Sequence, residues 1–489
     1  MNPQHKKYSV LLTDLYQLTM AYGYWKTGKH EVESVFHVFF RKNPFQSGYS
    51  IACGLGDAIE YLQNFKLDGE ELDYLTSLTG NDGKPLFEKE FLEYLRDLQF
   101  GCDIDAIPEG TVVFPHEPLI RVKGSILQCQ LLETALLNIV NFQTLIATKA
   151  ARVCDAAQNE PVLEFGLRRA QGVDGAMAAS RAACIGGCAA TSNVLAGMRY
   201  GIPVKGTHAH SWVMSFDTED QAFETYAKAM PNNCVFLVDT YDTIEGVKKA
   251  VRVGSELRSK GHEMVGIRLD SGDLAYLSIE ARKILDEAGF PDAVIVASND
   301  LDEHIIASLK DQGAKIAVWG VGTKLVTAYD QPAMGGVYKL AAIRNGEDEW
   351  RYNIKLSEQA IKVSNPGIQQ VRRFKESGEF VGDMIYNEAN EMKNAYVIVD
   401  PVNTSRSKKM PTNAEFEDLL VPVFVKGKLV YDLPKIATIR ERTKAQLKEL
   451  NKGTKRFLNP HEYPVGLEAS LHQLKTDLIL KARGIEDEI

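Results

Sequence analysis

The chain has 489 residues and lacks any long hydrophobic run. No apolar stretch approaches the roughly 20 residues that a membrane-spanning helix needs. The N-terminal residues are polar and then amphipathic, without the apolar core of a signal peptide. We therefore expect a protein with no membrane contact.

An excess of positive charge is also missing. Asp and Glu number 65 against 56 Lys and Arg, which gives a net charge of −9. Domains dedicated to nucleic acid need clustered cations to neutralise phosphates, so we predict no nucleic-acid partner. A small phosphate ligand is still allowed, because it needs only a local group of cations and backbone N–H groups.

A disulfide framework is absent as well. The seven cysteines are odd in number and show no paired spacing, which predicts a reduced, cytoplasmic setting. Cys184 and Cys188 lie four residues apart on a predicted helix, a spacing that could ligate a metal. No second Cys or His pair follows at zinc-site spacing, so we interpret them as inert buried thiols.

The middle of the chain alternates short apolar runs with amphipathic segments. This alternation predicts right-handed βαβ units and a parallel sheet, hence an α/β fold. Polar residues follow almost every strand, which favours an irregular TIM-like α/β barrel over an open sheet. The predicted strands are Val162–Phe165, Val235–Asp239, Met264–Arg268, Ala293–Ala297 and Lys315–Trp319, and the helices are Ile244–Lys260, Leu274–Ala288 and Leu301–Gln312.

The flanking regions mix both kinds of pattern. We predict an N-terminal α+β domain over 1–145, an α/β-barrel catalytic domain over 146–345, and a C-terminal segment over 346–489 that packs on the N-terminal domain and the barrel. Strands are predicted at Val32–Arg41, Trp350–Leu356 and Tyr396–Val399, with a small β-unit at Ala106–Val122. Helices are predicted at Asp57–Asn64, Phe87–Leu98, Ile436–Leu450 and Ala469–Ala482.

Side chains that could carry chemistry follow the middle strands. Taken singly, each has a simple structural explanation: Asp239 and Asp300 could cap the next helix, and a Gly-x-Gly turn is common. His208 and His210 would point the same way on a strand and suggest a metal site, but no third ligand is evident, so we predict no permanent metal site. The strand ends are Glu164–Arg169, Gly206–Ser211, Asp239–Asp242, Arg268–Asp273, Ser298–Asp300 and Gly320–Lys324.

Taken together, these strand ends favour a site for an anionic sugar phosphate. Gly320–Thr323 can present consecutive backbone N–H groups to a phosphate. Arg268 can fork onto phosphate oxygens. Asp270 and Asp273 can accept ribose hydroxyls or hold a hydrated Mg²⁺.

Six motifs make the pattern specific, and they resemble those of the nicotinate phosphoribosyltransferase family in its longer bacterial form. The resemblance covers nearly the whole chain. It implies the type II phosphoribosyltransferase fold, an irregular α/β barrel with an N-terminal domain packed on it, in a homodimer with shared active sites. In order, the motifs are DLYQLTMAYGY (Asp14–Tyr24), EFGLRRAQG (Glu164–Gly172), GTHAHSW (Gly206–Trp212), RLDSGD (Arg268–Asp273), WGVGTKL (Trp319–Leu325) and NPHEYPVGL (Asn459–Leu467).

The resemblance also implies a reaction. Nicotinate and 5-phosphoribosyl pyrophosphate would give nicotinate mononucleotide and pyrophosphate, a step of NAD biosynthesis and salvage. ATP is expected as a co-substrate that is hydrolysed through a phosphohistidine at His210, and Mg²⁺ would accompany the phosphates. Arg268 and Asp270 join His210 as the expected catalytic residues.

Substrate-binding roles follow from the same resemblance. Tyr16 of the neighbouring subunit would stack on one face of the pyridine ring and Phe165 on the other, with Arg168 close to the base and phosphates. Arg41 and Lys42 would add positive charge from the partner chain. The further substrate-binding residues expected are Ser192, Thr207, Ser211, Asp239, Ser271, Gly272, Gly320, Gly322 and Thr323.

Three alternatives stay open. A nicotinamide-specific relative would place an aspartate where this chain has Ser192 or Asn193, and a carboxylate there would repel nicotinate. A quinolinate-specific enzyme would need more cations for a dicarboxylate. A non-catalytic phosphate-binding barrel with a scaffold role would not need the histidine. The presence together of Tyr16, His210, Arg268 and Asp270 argues against it.

Overall fold

A computed structural model describes residues 8–391 and 396–485. The chain divides into two compact units. Unit 1 consists of Met1–Leu145, Ala333–Pro434 and Lys444–Ile489, and unit 2 of Ile146–Pro332 and Lys435–Thr443. In the part of the chain that is described, no helix is both long enough and apolar enough to cross a membrane. The first seven residues of the segment predicted to lack a signal peptide lie outside the described residues.

The first part of the chain is mixed, as its patterns predict. The strand predicted at Val32–Arg41 and the helices predicted at Asp57–Asn64 and Phe87–Leu98 are confirmed within two residues at either end. The elements are α1 Leu15–Lys26, β1 Glu33–Phe40, β2 Ser50–Ile51, α2 Leu55–Gln63, α3 Gly69–Ser77, α4 Lys89–Asp97, β3 Asp103–Ala106, β4 Val112–Val113, β5 Ile120–Ser125, α5 Ile126–Leu131 and α6 Glu133–Ala156.

The middle of the chain alternates strands and helices. The elements are β6 Val162–Glu164, α7 Gly172–Gly186, β7 Ala190–Thr191, α8 Val194–Tyr200, α9 His210–Met214, α10 Glu219–Ala229, β8 Val235–Leu237, α11 Thr243–Ser259, β9 Gly266–Leu269, α12 Leu274–Glu287, β10 Val294–Ala297, α13 Glu303–Asp311, β11 Val318–Val321 and α14 Thr323–Val326.

The last part is rich in strands. The segment Trp350–Leu356, predicted as one strand, pairs only over two residues, so that prediction was too long. The elements are β12 Gly336–Arg344, β13 Arg351–Tyr352, β14 Gln369–Glu376, β15 Glu379–Asn387, β16 Val397–Val399, β17 Ser407–Lys409, β18 Glu415–Asp418, β19 Val421–Val425, β20 Lys428–Leu429, α15 Ile436–Glu449, β21 Val465–Glu468 and α16 Ala469–Arg483.

Unit 2 is built on a six-stranded sheet in the order β7-β6-β11-β10-β9-β8, in which every pair is parallel. The first strand in sequence, β6, pairs with the last, β11, and Val204 adds a parallel bridge to Thr191 beside β7. The predicted parallel sheet is confirmed. The predicted closed barrel is not observed, because β7 and β8 end the sheet and the chain between Val204 and Val235 forms helices α9 and α10.

Aspartates cap three of the helices that follow strands of unit 2. The simple explanation for Asp239 and Asp300, that they are helix caps, is wrong. The caps come two or three residues later, which leaves Asp239 at its strand end for other contacts. The capping side chains, which accept backbone N–H bonds at the starts of α11, α12 and α13, are Asp242, Asp273 and Asp302.

Unit 1 contains two larger sheets and a two-stranded sheet formed by β2 and β4. The first has the order β13-β12-β1-β5-β3-β19-β20, so strands from both ends of the chain share it. The second has the order β17-β16-β21-β15-β14-β18. Its β14–β15 hairpin, which the sequence patterns did not identify, turns at Ser377 and Gly378 with φ of 53° and 82°. Positive φ at both central residues matches the twist of the paired strands.

Helix α11 lies very close to the sheet of unit 2. A Cβ added at Gly246 would lie 2.1 Å from the carbonyl oxygen of Val238, a backbone atom that cannot rotate away. The glycine therefore sets the distance between α11 and the end of β8, and it holds the following segment near Asp239 in place.

We predict that Gly246→Ala lowers the free energy of unfolding by about 1–3 kcal/mol, because the backbones must separate to admit the methyl group. Urea unfolding followed by circular dichroism measures the change. Gly175→Ala is the matched control, since Gly175 lies in α7 with nothing within 4 Å of an added Cβ. Equal stability of the two variants would contradict the close packing at Gly246.

Candidate functional site

Arg268, at the end of β9, lies at the centre of a polar cluster at the carboxyl ends of the sheet of unit 2. Its Nε donates to Ser298 Oγ at 2.8 Å, Nη1 to Thr207 Oγ1 at 3.1 Å and Nη2 to Asp270 Oδ1 at 2.9 Å. Its guanidinium carbon lies 5.6 Å from the centre of the Phe165 ring. Three of the five guanidinium N–H groups are used in this way, and two stay available for a ligand.

Asp239, which follows β8, joins this cluster from the other side. Its Oδ2 accepts the backbone N–H of Asp270 at 2.8 Å and the hydroxyl of Ser271 at 2.6 Å. Its Oδ1 is buried and has no hydrogen-bond partner among the described residues. A buried carboxylate oxygen without a donor is costly, so it is poised to receive a ligand or a cation.

His210, the first residue of α9, lies between the two aspartates. Its Nδ1 is 3.1 Å from Thr240 Oγ1, and its Nε2 is 4.0 Å from Asp239 Oδ1 and 3.7 Å from Asp270 Oδ2. The side chain is 37% exposed. If Nδ1 carries the proton and donates to Thr240, Nε2 carries the lone pair on the side of the ring near Asp239 and Asp270.

His208 differs from His210 in its hydrogen bonding and in its packing. Its Nε2 accepts the backbone N–H of Leu237 at 3.3 Å, and its ring packs edge-on against Tyr226 at 4.8 Å. Burial lowers the pKa of His208 to about 4, so the ring is neutral at physiological pH. The predicted parallel orientation of the two histidines on a strand was wrong, because α9 begins at His210.

Phe165 packs against a glycine of the neighbouring strand. A Cβ at Gly320 would lie 2.8 Å from the Phe165 ring, so any other residue at this position would collide with the ring. The phosphate-binding turn predicted at Gly320–Thr323 begins later than expected, because Gly320 and Val321 are part of strand β11. Gly322 is the N-cap of the short helix α14, and the amides of the first turn, beginning at Thr323, have no acceptor within the helix.

Ser192 and Asn193, the two candidates for base selectivity, have different surroundings. Asn193 is 2% exposed, and its Oδ1 accepts the backbone N–H of Ala196 as the N-cap of α8. Ser192 is half-buried, and its backbone N–H donates to the carbonyl of Glu164 at 2.9 Å. Asn193 is therefore occupied, and Ser192 is the one that can face a ligand.

Other predicted residues of unit 2 lie at the rim. Arg168 is exposed in a single 3-10 turn and has no ion-pair partner among the described residues. Ser211 is exposed on α9, and within the described chain its hydroxyl makes no hydrogen bond. Gly272 has a φ of 78°, which glycine tolerates, and forms the turn before α12. These residues are not brought into direct contact with Arg268.

Three predicted residues belong to unit 1. Tyr16 lies in the first turn of α1 and is 49% exposed. Arg41 and Lys42 line a cavity of about 450 Å³ within unit 1, together with His116 and His461. Burial lowers the pKa of Arg41, whose Nε is buried without a hydrogen-bond partner among the described residues.

The charge state of Asp270 is set by its neighbours. Burial opposes ionisation, but the hydrogen bond from Ser298 and the positive charge of Arg268 outweigh it and lower the pKa of Asp270. The carboxylate therefore stays ionised beside His210 at neutral pH.

The cysteines do not form a metal site in the part of the chain that the structure describes. No group of three or more His, Cys, Asp or Glu side chains there is placed to hold a metal ion. Helix α7 ends at Gly186, so Cys188 lies beyond it and the predicted shared helix was wrong. None of the seven cysteines forms a disulfide.

Several residues of the site were absent from the sequence prediction. Thr240 and Ser298 lie in strand-end motifs that the sequence did identify, and their hydroxyls hold His210, Arg268 and Asp270. Lys324 donates to Asp302 Oδ2 at 2.7 Å and so ties the first turn of α14 to the start of α13. Only the tertiary structure reveals such pairs, because their members come from different βα units.

The fold and the site define a class of protein. An arginine, two aspartates and a histidine meet at the carboxyl ends of a parallel sheet, where α/β proteins bind their ligands. The arginine keeps two donors free for an anion and the aspartates keep acceptors free for hydroxyls or cations. This arrangement suits a sugar phosphate.

Comparison with known families narrows the class. The family model described as the nicotinate phosphoribosyltransferase N-terminal domain matches residues 11–141, the one for the family matches 161–355, and the one for the C-terminal domain matches 368–475. The chain belongs to the nicotinate phosphoribosyltransferase family.

Individual relatives match this chain over nearly their full length. The chain is 48% identical to the nicotinate phosphoribosyltransferase of Bacillus subtilis, covering 98% of this chain and 97% of that protein. The crystal structure of the human nicotinic acid phosphoribosyltransferase matches with a TM-score of 0.83 at 32% identity, covering 95% and 99% of the two chains. Nicotinate-nucleotide pyrophosphorylase from Pyrococcus furiosus shares the fold, with a TM-score of 0.69 at 22% identity over 90% and 95%.

The buried His208 gives a prediction for the pH dependence of stability. Its pKa is about 4 in the folded state and near 6.5 in the unfolded state. Between these values only the unfolded state binds the proton, so acidification from pH 6.5 towards pH 4 favours unfolding. The loss should reach roughly 3 kcal/mol.

His208→Gln retains an acceptor for the N–H of Leu237 but does not titrate. Urea unfolding of both proteins from pH 7 to pH 4 should show a steeper loss of stability for the wild type than for the variant. Parallel curves would show that His208 is protonated equally easily in both states.

Proposed function

We propose that this protein transfers a phosphoribosyl group from 5-phosphoribosyl pyrophosphate to nicotinate, forming nicotinate mononucleotide and pyrophosphate for NAD biosynthesis. The cluster of Arg268, Asp270, His210 and Asp239 at the strand ends carries the proposal. It occurs in a chain that aligns over nearly all its length with proteins named for this activity.

The pyridine ring would bind at Phe165. Gly320 leaves room for the Phe165 ring beside β11, and an aromatic ring suits stacking on a planar base. Tyr16 of a neighbouring subunit would cover the opposite face, in a homodimer with shared sites. Its exposure on α1 supports this role. Ser192 would admit nicotinate, since its hydroxyl can donate to the carboxylate, whereas an aspartate at this position would repel it.

The ribose and its phosphates would bind around Arg268. The two free N–H groups of its guanidinium suit phosphate oxygens, and Asp270 and Asp239 suit ribose hydroxyls. The amides at Gly322 and Thr323 are a second phosphate-binding element. Ser211, Gly272 and Arg168 would complete the rim on substrate binding.

The reaction needs little proton transfer. The pyridine nitrogen already carries a lone pair, and the leaving pyrophosphate carries several negative charges. The anomeric carbon becomes oxocarbenium-like in the transition state, and the carboxylates of Asp239 and Asp270 favour that positive charge. The oxygens of Asp239 and Asp270 fit the ligand preference of Mg²⁺, which would enter with the phosphates and neutralise the leaving group when bound.

ATP would act through His210. In the tautomer held by Thr240, the lone pair of Nε2 attacks the γ-phosphorus of ATP, an N–P bond forms, and ADP leaves with the electrons of the broken O–P bond. Water later hydrolyses the phosphohistidine. The energy released would favour product formation, so that ATP stimulates the transfer without being required for it.

Features of the wider fold belong to the same proposal. The sheet of unit 2 would be the frame of an irregular barrel, because its first and last strands are already paired and only the interval between Val204 and β8 is open. The division into 1–145, 146–345 and 346–489 and the cytoplasmic setting stay predictions.

The activity is tested with purified protein, 5-phosphoribosyl pyrophosphate, Mg²⁺ and either nicotinate or nicotinamide, with and without ATP. We expect nicotinate mononucleotide from nicotinate, more of it with ATP, and little product from nicotinamide. Chromatography of the nucleotide product measures both. Product from nicotinamide but not from nicotinate would mean that the amide-specific alternative is correct. No product from either base would favour the non-catalytic phosphate-binding scaffold.

His210→Asn tests the coupling. Asparagine can keep the hydrogen bond to Thr240 but lacks the Nε2 nucleophile. We expect hydrolysis of ATP to fall at least a hundredfold, with transfer from nicotinate retained at a reduced level that ATP no longer raises. Acid-labile ³²P from γ-labelled ATP should appear on the wild type only. If the variant hydrolysed ATP at the wild-type rate, His210 would be excluded as the phosphorylated residue.

A further inference from the structure

A hydrogen-bond network lies beneath the proposed base site, centred on the last residue of β6. Glu164 is fully buried at 0% exposure. Its carboxylate accepts from the backbone N–H of Gly166, from Ser180 Oγ at 2.8 Å and from Thr191 Oγ1 at 2.6 Å. One carboxylate therefore joins three segments of unit 2: the turn after β6, helix α7 and strand β7.

The network has a direction. Asn193 donates its backbone N–H to Thr191 Oγ1 at 3.0 Å and its side-chain amide to Ser180 Oγ at 3.2 Å. Each hydroxyl owns a single proton, and the acceptor within reach of both is Glu164. Protons therefore point from Asn193 through the hydroxyls to an acceptor-only carboxylate.

This direction fixes the orientation of Asn193. With its amide nitrogen turned towards Ser180, its Oδ1 faces the N–H of Ala196 and caps α8 at 3.2 Å. Ser192 lies between two members of the network, Thr191 and Asn193, and its own N–H donates to the carbonyl of Glu164. The backbone carbonyl of Glu164 thus holds Ser192 directly, and the carboxylate of Glu164 holds the adjacent Thr191.

Glu164 also holds Phe165, the residue proposed to stack on the base. Phe165 follows Glu164 directly, its backbone N–H donates to Val321 at 2.8 Å, and the next amide, that of Gly166, donates to the Glu164 carboxylate. A Cβ at Gly166 would lie 2.3 Å from Val326, so this turn has no room to shift. The positions of Phe165 and Ser192 are therefore coupled through Glu164.

We infer that Glu164 is a positioning residue for base selection: through Thr191, Ser180 and Asn193 it sets where Ser192 stands relative to the Phe165 ring. This inference rests on the proposed function. The carboxylate does not need to touch the substrate. It acts by fixing the hydroxyl that would recognise the carboxylate of nicotinate.

A glutamine cannot replace this glutamate. Its single oxygen would accept from Gly166, and its NH₂ group would then face two hydroxyls whose own protons have no other acceptor. Because Glu164→Gln places this conflict in the core and the protein could fail to fold, the decisive variants are at Thr191. Thr191→Val removes the hydroxyl at nearly constant volume, and Thr191→Ser retains it.

The test measures KM for nicotinate and for 5-phosphoribosyl pyrophosphate separately, in the full-length wild type and both variants. For Thr191→Val we expect KM for nicotinate to rise roughly tenfold, because the N–H of Asn193 loses its acceptor and Ser192 is no longer held where it would meet the base. KM for 5-phosphoribosyl pyrophosphate should change less than about twofold. The preference for nicotinate over nicotinamide in kcat/KM should fall, and Thr191→Ser should restore wild-type values.

A purely structural role gives a different result. Glu303→Gln is the matched control, since Glu303 is also a fully buried carboxylate of unit 2 and pairs with Lys149 at 2.7 Å and Arg152 at 2.8 Å. It should lower the melting temperature and leave the ratio of the two KM values unchanged. The same KM pattern in Glu303→Gln, or an unchanged ratio in Thr191→Val, would overturn the inference.

The outcomes separate the two proposals. If the wild type forms no nicotinate mononucleotide, the proposed function fails and this inference falls with it. If the wild type is active but Thr191→Val changes both KM values equally, only the role of Glu164 is rejected.

Discussion

The guanidinium of Arg268 joins the ends of neighbouring βα units, and the arrangement of the cluster depends on it. Its bonds to Ser298, Thr207 and Asp270 fix three segments that are far apart in sequence. Together with the hydrogen bond from Ser298, its charge lowers the pKa of Asp270 despite burial. Removing it would leave the partly buried carboxylate of Asp270 without an ionic partner beside His210, which costs more than the loss of a single hydrogen bond.

The two histidines of the GTHAHSW motif show how one turn separates structural from chemical roles. His208 is sealed against aromatic rings and loses its basicity, whereas His210 begins a helix and keeps one nitrogen open to the cluster. The glycines at 320 and 246 act in a similar way by admitting a ring or a helix backbone where a methyl group would not fit. Local packing thus decides which polar groups meet a ligand.

The sequence predicts the elements of unit 2 well, because parallel strands buried on both faces are short apolar runs and the helices between them are amphipathic. It also predicts Arg268, Asp270, Asp239 and His210 as neighbours, since strand ends converge. It fails where the outcome depends on distant partners: the caps at Asp242 and Asp302, the extent of β11 and the role of Glu164. The hairpin at Ser377 was missed, because β14 buries polar residues such as Arg372 and Arg373 and therefore does not form an apolar run in the sequence.

Strand β1 has a consequence for how the chain is made. Seven of its eight residues are buried, and it pairs with β5 on one side and with β12 on the other, from Glu33 to Arg344. A ribosome adding about 5–20 residues per second reaches β12 roughly 15–60 seconds after β1. During that interval one edge of an apolar strand has no partner, while residues 146–332 of unit 2 are still being synthesised. Nascent unit 1 is therefore the part of this protein most exposed to aggregation, and the part for which a chaperone matters.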